Sequence, residues 1–252
     1  MAKDLFCGLG GWTEGLLAEG YDVTGYDIEA HEYGDEKYPA KLVLQDVLTL
    51  DGAQFKDAAL IVASPPCQEF SYMAMPWSRA KQIARALRGQ DEFPEGYKGS
   101  RTIAELTALF DACFRIQREA SAAAGRSIPM LVENVRGAEP WVGRAKWSFG
   151  SYYLWGDVPA LMPHTLKAQK FNPDGTNHGQ GSWFKIADSK QRGVKVASAS
   201  GRRTDVGNGA RFTSRDDGKE RRKAASAKIA KIPLALSSWI ARAYKPAAEM
   251  VA

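Results

Sequence analysis

The sequence predicts an α/β fold: a mostly parallel sheet flanked by helices, with a small irregular lobe appended. Short apolar runs alternate with helical patterns over residues 1–155, which is typical of parallel strands joined by helices. From residue 159 the apolar runs give way to Gly, Ser, Asn and Arg, which indicates an irregular lobe. We therefore expect a main domain over residues 1–158, the lobe over 159–224, and a C-terminal helix over 225–252 that packs back on the main domain.

The predicted elements begin with a strand, a glycine turn and a helix, and continue as further strands and helices. Apolar runs bounded by turn residues predict strands, whereas apolar residues at helical spacing predict helices. Strands are predicted at residues 3–7, 21–28, 42–47, 60–63 and 130–132. Helices are predicted at 13–20, 103–124 and 229–244, the last with Ile232, Leu236, Trp239, Ile240 and Ala243 on its apolar side.

The composition allows a polyanion as partner and gives no sign of a membrane span. The chain has 252 residues, a net charge of +5 and an isoelectric point near 9.0. Basic residues crowd one late stretch, as a surface that contacts phosphates requires, and a solvated charged face is the alternative. The candidate phosphate contacts in that stretch are Arg202, Arg203, Arg211 and Arg215. Because no apolar run approaches about 18 residues, we expect no membrane span.

Glycines and acids stand where the predicted strands end. In an open parallel sheet, ligands bind at the carboxyl ends of the strands, which is where Gly8, Asp27, Asp46, Cys67 and Glu133 fall. A glycine turn between a strand and a helix lets a cofactor approach the backbone and aims N–H groups at it. An acid that closes the second strand, Asp27, can accept hydrogen bonds from ribose hydroxyls; a surface aspartate in a turn is the alternative.

A cysteine stands just beyond the fourth predicted strand, in Ser64-Pro65-Pro66-Cys67-Gln68. The two prolines stiffen this turn, which suits a nucleophile, and a structural buried cysteine is the alternative. Glu133 follows an apolar strand and is therefore expected at the same rim, where a carboxyl can protonate a heterocycle. Because the cysteines of the chain are far apart and no signal peptide is evident, we expect thiols in a reducing cytosol.

Three motifs occur in order along the chain. They are Asp4-Leu5-Phe6-Cys7-Gly8-Leu9-Gly10-Gly11, then Ser64-Pro65-Pro66-Cys67-Gln68 with Phe70-Ser71 after it, and then Glu133-Asn134-Val135. Together they resemble the cytosine-C5 DNA methyltransferase family, and the resemblance covers residues 1–155. It implies a Rossmann-like, S-adenosylmethionine-dependent methyltransferase domain followed by a small target-recognition lobe. It also implies S-adenosyl-L-methionine as cofactor and double-stranded DNA as partner, with no metal ion.

The resemblance implies roles for individual residues. Cys67 adds to C6 of cytosine, Glu133 assists at N3, and C5 takes the carbon before the C5 proton and Cys67 leave. Since C5 and C6 are stacked inside a duplex, the target base must be flipped out, at a cost of roughly a few kcal/mol. The implied cofactor-binding residues are Phe6, Gly8, Gly10, Gly11, Asp27 for the ribose, Ile28 for the adenine face, Asp46 for the adenine amino group, and Pro65. Gln68 and Ser71 are the expected DNA contacts beside the nucleophile.

The chain departs from the family pattern at two motifs. The family's Gln-x-Arg-x-Arg motif carries an arginine that contacts the flipped base; here Arg144 is the candidate substitute, and a surface arginine is the alternative. In the last motif a lysine, Lys228 or in another register Lys231, replaces an asparagine that in the family lies near the methionine end of the cofactor. A sulfonium repels an ammonium unless an anion balances it. We therefore hypothesise that this lysine selects carboxy-S-adenosyl-L-methionine and gives 5-carboxymethylcytosine; a solvent-facing lysine is the alternative.

Three other functions stay open from the sequence. A tRNA cytosine-C5 methyltransferase carries similar motifs, and the Arg and Gly residues of the lobe suit either polymer. A catalytically inactive DNA-binding relative is opposed by the intact Cys67 and Glu133. A dinucleotide oxidoreductase is opposed by the lack of G-x-G-x-x-G spacing. By analogy with phage-encoded or stand-alone bacterial enzymes, we expect a monomer in a bacterial or phage-infected cytosol.

Overall fold

The computed structural model describes residues 1–71, 77–92, 102–162, 194–197, 203–206, 227–228 and 230–246. The chain divides into two compact units, one formed by Met1–Ala168 with Ile232–Ala252 and the other by Gln169–Lys231. The first unit contains a seven-stranded sheet, and the second contains a two-stranded hairpin. No helix among the described residues is both long enough and apolar enough to cross a membrane.

The seven-stranded sheet is mostly parallel, so the predicted α/β class is confirmed. Its strands stand in the order β3-β2-β1-β4-β5-β7-β6. Strands β1 to β5 run parallel to one another, whereas β7 is antiparallel to both β5 and β6. The strands are β1 (Ala2–Leu5), β2 (Val23–Asp27), β3 (Lys41–Leu44), β4 (Leu60–Ala63), β5 (Met130–Asn134), β6 (Trp147–Phe149) and β7 (Tyr152–Gly156).

The central strands are covered on both faces, which explains the continuous apolar sequence of β4 and the apolar start of β5. Every residue of β1, β2, β4 and β5 is buried, while edge strand β3 is half exposed. Five α-helices lie among the described residues of the first unit. They are α1 (Gly11–Ala18), α2 (Trp77–Leu87), α3 (Ile103–Ala124), α4 (Glu139–Val142) and α5 (Leu234–Ala243).

Helix α3 covers one face of the sheet and has the predicted bounds. The Thr102 side chain accepts a hydrogen bond from the backbone N–H of Glu105, 3.1 Å away, and so caps the first turn. The helix stops at Gly125, whose φ of 64° is readily adopted only by glycine. Phe110 and Ile116 pack from this helix into the larger apolar cluster. The α3 face of the sheet therefore holds most of the core.

Helices α1 and α5 cover the opposite face, and their contact needs a glycine. A Cβ atom at Gly15 would lie 2.3 Å from Oγ of Ser237, so the two helices approach at a position without a side chain. The Tyr21 hydroxyl also donates to the carbonyl of Ala241 at 2.9 Å. These contacts hold the C-terminal helix on the sheet.

The last helix differs from its prediction in start and in buried face. It begins at Leu234 after Pro233, because proline lacks a backbone donor and disfavours helix in the residue before it. Trp239 and Ala243, expected on the apolar side, are exposed, whereas Ser237 and Ala241 are buried. The small residues face α1 because only they allow the close helix approach.

Strands β6 and β7 are not predicted by the sequence pattern. Strand β7 buries Tyr152 and Leu154 on one face and packs Tyr153 and Trp155 against the core on the other, so it shows no alternation of polar and apolar residues. Strand β6 has only three residues. The third strand also ends at Leu44 rather than at residue 47, because Asp46 caps a 3₁₀ turn over Val47–Thr49.

The second unit contains an antiparallel hairpin of β8 (Val194–Ala197) and β9 (Arg203–Val206). Arg203 is the first residue of β9. The other three candidate phosphate contacts, Arg202, Arg211 and Arg215, lie outside the described residues. Lys228 and Lys231 belong to this unit as well, and both are half-buried. The boundaries of the target-recognition lobe stay a prediction.

Candidate active site

The carboxyl ends of four adjacent parallel strands meet at one edge of the sheet. Strands β2, β1, β4 and β5 stand side by side there. Asp27 closes β2, the glycine turn follows β1, the Cys67 loop follows β4, and Glu133 is near the end of β5. Residues far apart in sequence are thus brought to one rim, as the alternation of strands and helices predicts.

The glycine turn after β1 has left-handed backbone at three positions. Phe6 is the one non-glycine residue with positive φ (56°) in the described chain, and Gly8 and Gly10 have φ of 49° and 77°. A Cβ atom at Gly10 would lie 2.5 Å from Cδ of Pro39, whereas one at Gly8 would meet nothing within 4 Å. The turn is therefore packed at Gly10 and open at Gly8, where a ligand can approach the backbone.

Asp27 is a buried carboxylate that ties the ends of β1 and β2 together. Its side-chain oxygens accept hydrogen bonds from the backbone N–H groups of Gly8 (2.9 Å) and Ile28 (2.8 Å). The Nε2 atom of His31 lies 3.7 Å from its Oδ1. Burial opposes ionisation, but the hydrogen bonds from His31, Gly8 and Ile28 outweigh it and lower the pKa of Asp27. A charged acceptor is thus held beside the glycine turn.

Two further predicted cofactor residues flank this acid. The side chain of Ile28 is 72% exposed, so an apolar surface is available to an aromatic ring. Asp46 is half-buried and uses Oδ1 to accept from the backbone N–H of Leu48 at 2.9 Å. Arg115 of α3 donates to the carbonyls of Leu48 and Leu50 and so fixes the turn that carries Asp46.

A buried polar chain beneath the glycine turn was not predicted. The Thr13 hydroxyl donates to Oδ2 of Asp4 at 2.7 Å and lies 2.6 Å from the Tyr38 hydroxyl. Burial, the largest cause, raises the pKa of Asp4 to about 8, so this carboxyl carries a proton at neutral pH. Its Oδ1 atom is buried without a hydrogen-bond partner among the described residues. The first motif shows Asp4 in the sequence, but no local pattern links Asp4 to Tyr38.

The loop that carries Cys67 is held on both sides by residues at the end of β5 and just after it. Before the cysteine, Nδ2 of Asn134 donates to the carbonyl of Pro65 at 2.9 Å, and Oδ1 of Asn134 accepts from the backbone N–H of Val135. After it, a Cβ atom at Gly137 would lie 1.9 Å from the carbonyl oxygen of Phe70. The backbone N–H of Ser71 also donates to the carbonyl of Cys67 at 2.8 Å. Cys67 and Ser71 are half-buried and Gln68 is exposed.

Glu133 is 9% exposed and faces the same side of the sheet as its pairing partner Leu154. On that side the indole N–H of Trp12 donates to Oγ of Ser64 at 3.0 Å, at the end of neighbouring strand β4. Cys67 is three residues further along the chain from Ser64. The candidate nucleophile and the candidate acid therefore extend from the ends of adjacent parallel strands.

Arg144 is not on the loops and strand ends that carry Cys67 and Glu133; it lies in the segment that precedes β6. It is exposed and lines an open cavity of about 270 Å³ together with Glu139, Trp147, Ser148 and Tyr153. The carbonyl of neighbouring Gly143 accepts a hydrogen bond from the Trp155 indole at 2.8 Å. Within the described part of the chain, no group of three or more His, Cys, Asp or Glu side chains could hold a metal ion.

Comparison with known proteins agrees with the motifs. The model of the family described as C-5 cytosine-specific DNA methylase matches residues 1–80. No curated protein sequence matches the chain.

Three solved structures are similar over about half of the chain. One is described as a DNA modification methyltransferase encoded within a prophage of E. coli (21% identity, 54% of this chain, 32% of that chain, TM-score 0.32). The second is a mutant DNMT2 of Spodoptera frugiperda (20% identity, 55% of this chain, 36% of that chain, TM-score 0.29). The third is the S. pombe Dnmt2 methyltransferase (19% identity, 55% of this chain, 35% of that chain, TM-score 0.25).

The chain spans about a third of the length of these solved structures, and their TM-scores are low. The family match rests instead on the segment that contains the glycine turn, Asp27 and the Cys67 loop. The match of this family model over residues 1–80 confirms the resemblance to the C-5 cytosine-specific DNA methylase family and the enzyme class predicted from the sequence.

Proposed function

We propose that the chain transfers a one-carbon group from S-adenosyl-L-methionine to C5 of cytosine in double-stranded DNA, through a covalent adduct of Cys67. The family whose model matches residues 1–80 implies the donor and DNA as the substrate. Cys67 lies just beyond the end of β4, Glu133 lies near the end of the adjacent strand β5, and Asn134 is hydrogen-bonded to the loop that carries the cysteine. This placement is the observation that carries the proposal.

The residues at the edge fit the proposed donor. The open backbone at Gly8 allows a close approach, and the charged Asp27 supplies an acceptor for ribose hydroxyls. Exposed Ile28 offers its apolar side chain to the adenine, and Asp46 offers a carboxylate oxygen to the adenine amino group. We place Phe6, Gly10, Gly11 and Pro65 in the same site. When bound, the donor supplies an electrophilic carbon attached to a sulfonium.

The protein's own residues would carry the remaining steps. The Cys67 thiolate forms a bond to C6 of the flipped base while Glu133 donates a proton to N3, and the electrons of the C5=C6 bond become available at C5. After C5 takes the carbon, a water molecule accepts the C5 proton, and the C5=C6 bond forms again as the C6–S bond breaks and releases the Cys67 thiolate. N3 then returns its proton to Glu133. Base flipping is required because the duplex stacks C5 and C6 against neighbouring bases. Gln68 and Ser71 stand in the Cys67 loop, where DNA would contact them.

A finer proposal concerns the group that is transferred. A lysine in the last motif, Lys228 or Lys231, would balance the carboxylate of carboxy-S-adenosyl-L-methionine and direct the enzyme to 5-carboxymethylcytosine. The observation that favours it is the lysine in place of the family's asparagine. An ammonium needs an anionic partner beside a sulfonium, and the carboxylated donor brings one.

The variants Lys228→Asn and Lys231→Asn test this finer proposal. For the lysine that acts, we expect the ratio of carboxymethyl to methyl product to fall about tenfold, which corresponds to the loss of about 1.4 kcal/mol. The ratio is measured by nucleoside mass spectrometry with both donors present, and the other lysine variant is the matched control. An unchanged ratio in both variants makes the lysine a solvent-facing residue of a diverged motif.

The proposed function is tested by identifying the product. The purified chain is incubated with mixed-sequence duplex DNA or with tRNA, in the presence of S-adenosyl-L-methionine or its carboxylated relative, and the nucleosides are digested and weighed. 5-Methylcytosine or 5-carboxymethylcytosine in DNA supports the proposal. Modified cytosine in tRNA alone would mean that the substrate is tRNA rather than DNA. The absence of modified cytosine in both polymers would favour an inactive DNA-binding relative. We place the enzyme in a bacterial or phage-infected cytosol, where duplex DNA is accessible.

A further inference from the structure

The strand that pairs with the end of β5 brings a tyrosine beside Glu133. Glu133 pairs with Leu154 of β7 in the antiparallel register, and Leu154 packs in the cluster on the α1 and α5 face. Alternate residues of a strand share a face, so Tyr152, which belongs to the same cluster, stands on that face as a diagonal neighbour of Glu133. Diagonal neighbours of an antiparallel pair are about 7–8 Å apart at Cα, within reach of a tyrosine side chain.

The environment of Tyr152 keeps its hydroxyl protonated. The residue is 6% exposed, and Glu133 beside it is 9% exposed. Burial and then the charge of Glu133 raise the pKa of Tyr152, so the phenol does not ionise in the working range of an enzyme. The phenol next to the candidate acid thus keeps its proton, and a neutral tyrosine O–H group can donate a hydrogen bond.

Arg144, the substitute that the sequence suggests for the family's arginine, stands by a different face. The segment that carries it is bonded through the Gly143 carbonyl to Trp155, which packs on the α3 face. Ala145, the next residue, packs against that same cluster. Glu133 and Tyr152 face α1 and α5 instead, so of these two candidates Tyr152 is the neighbour of Glu133 on its own face of the sheet.

We propose that Tyr152 is the second protein group that hydrogen-bonds the flipped cytosine, beside Glu133. The inference rests on the proposed function. In cytosine the exocyclic O2 is attached to the carbon adjacent to N3, so a donor that neighbours the acid at N3 can reach O2. When Cys67 adds to C6, electron density shifts toward N3 and O2, and a donor at O2 stabilises that charge. The tyrosine supplies this donor without the positive charge of an arginine.

The test is Tyr152→Phe, which removes the hydroxyl and keeps the ring that packs in the core. We expect kcat/KM on duplex DNA to fall about 10²-fold, as for loss of one preorganised donor. Formation of the covalent complex with a duplex that contains 5-fluorocytosine should slow by a similar factor. The Kd of S-adenosyl-L-methionine and the thermal midpoint should stay at their wild-type values, which a merely structural role would not allow. Tyr153→Phe, the same change one residue along on the opposite face, is the matched control.

Two results would overturn the assignment. One is a Tyr152→Phe protein with wild-type kcat/KM and wild-type adduct formation. The other is a loss of this size in Arg144→Ala but not in Tyr152→Phe, which would return the role to the arginine. Because the wild-type protein is assayed alongside, failure of the proposed function appears as absence of product in every protein. Failure of the tyrosine assignment leaves the wild-type product intact.

The double variant Tyr152→Phe with Glu133→Gln tests whether the two groups act together. Its fold-loss in kcat/KM should be smaller than the product of the two single fold-losses, since both groups act on one base.

Discussion

Cys67→Ala is expected to abolish group transfer and adduct formation together. The thiol is the one nucleophile at the rim that the proposed chemistry uses, and its removal leaves no atom to add to C6. We expect a loss on the order of 10⁴-fold or more in kcat, comparable to removal of other enzymatic nucleophiles. Mass spectrometry of digested DNA measures the transfer, and denaturing electrophoresis with a 5-fluorocytosine duplex measures the adduct. The Kd of S-adenosyl-L-methionine should not change, since the substitution leaves the glycine turn, Asp27 and Pro65 in place.

Cys113→Ala is the matched control for loss of a thiol. Cys113 is completely buried in α3, where burial raises its pKa, so it is inert as a nucleophile. Its replacement should destabilise the fold by about 1 kcal/mol and leave the rate unchanged. Transfer by Cys67→Ala at the wild-type rate, or inactivation by Cys113→Ala at a preserved thermal midpoint, would contradict the nucleophile assignment.

Much of the fold can be predicted from local patterns in the sequence. Helix α3 has the predicted bounds because a capping threonine and a terminal glycine are both visible in the sequence. The strand at Leu60–Ala63 is likewise a short apolar run that a turn follows. Strand β7 is not visible, because both of its faces are apolar and its pairing with β5 depends on contacts distant in sequence. The same holds for the face of α5, which is set by Gly15 and Ser237 together.

The candidate site is predictable to the extent that its residues stand in motifs. Cys67, Glu133 and Asp27 are found because each stands at or just beyond the end of a strand, and parallel strands end at one rim. Tyr38 and Tyr152 are not found, because their importance comes from Thr13 and Glu133, which they meet only in the folded chain. Gly137 is missed for a similar reason, since a glycine in sequence does not show which backbone approaches it.

Gly137→Ala is expected to displace the loop that carries the nucleophile. The new Cβ would lie 1.9 Å from the carbonyl oxygen of Phe70, a backbone atom that cannot turn aside as a flexible side chain can. Phe70 is buried, and its backbone N–H donates to the carbonyl of Cys67 at 3.0 Å, so a shift of Phe70 is passed to the cysteine. Overpacking of this kind costs about 1–3 kcal/mol of stability.

In the Gly137→Ala variant, we expect a large loss of kcat/KM while the protein stays folded. A displacement of about 1 Å at a reacting group can cost about 10²-fold in rate, and we expect a loss of that size in kcat/KM. The Kd of S-adenosyl-L-methionine should change less than twofold, since most of the proposed donor contacts come from the glycine turn after β1 and from Asp27 at the end of β2 rather than from the β4 loop. Steady-state kinetics, calorimetric binding and thermal melting measure the three quantities on one preparation. Alkylation of Cys67 by iodoacetamide, followed by peptide mass spectrometry, reports the altered loop directly.

Arg136→Ala is the matched control, because Arg136 and Gly137 belong to one 3₁₀ turn, Arg136–Ala138. The Arg136 side chain is 79% exposed and reaches Glu139 only at 4.0 Å, so its removal leaves the Phe70 contact intact. We expect wild-type kcat/KM and wild-type alkylation for this variant. Equal losses in both variants would mean that the turn as a whole, rather than the missing side chain at Gly137, sets the activity. Wild-type turnover by Gly137→Ala would mean that the Cys67 loop tolerates displacement, and Asn134 would then be sufficient to hold the nucleophile in place.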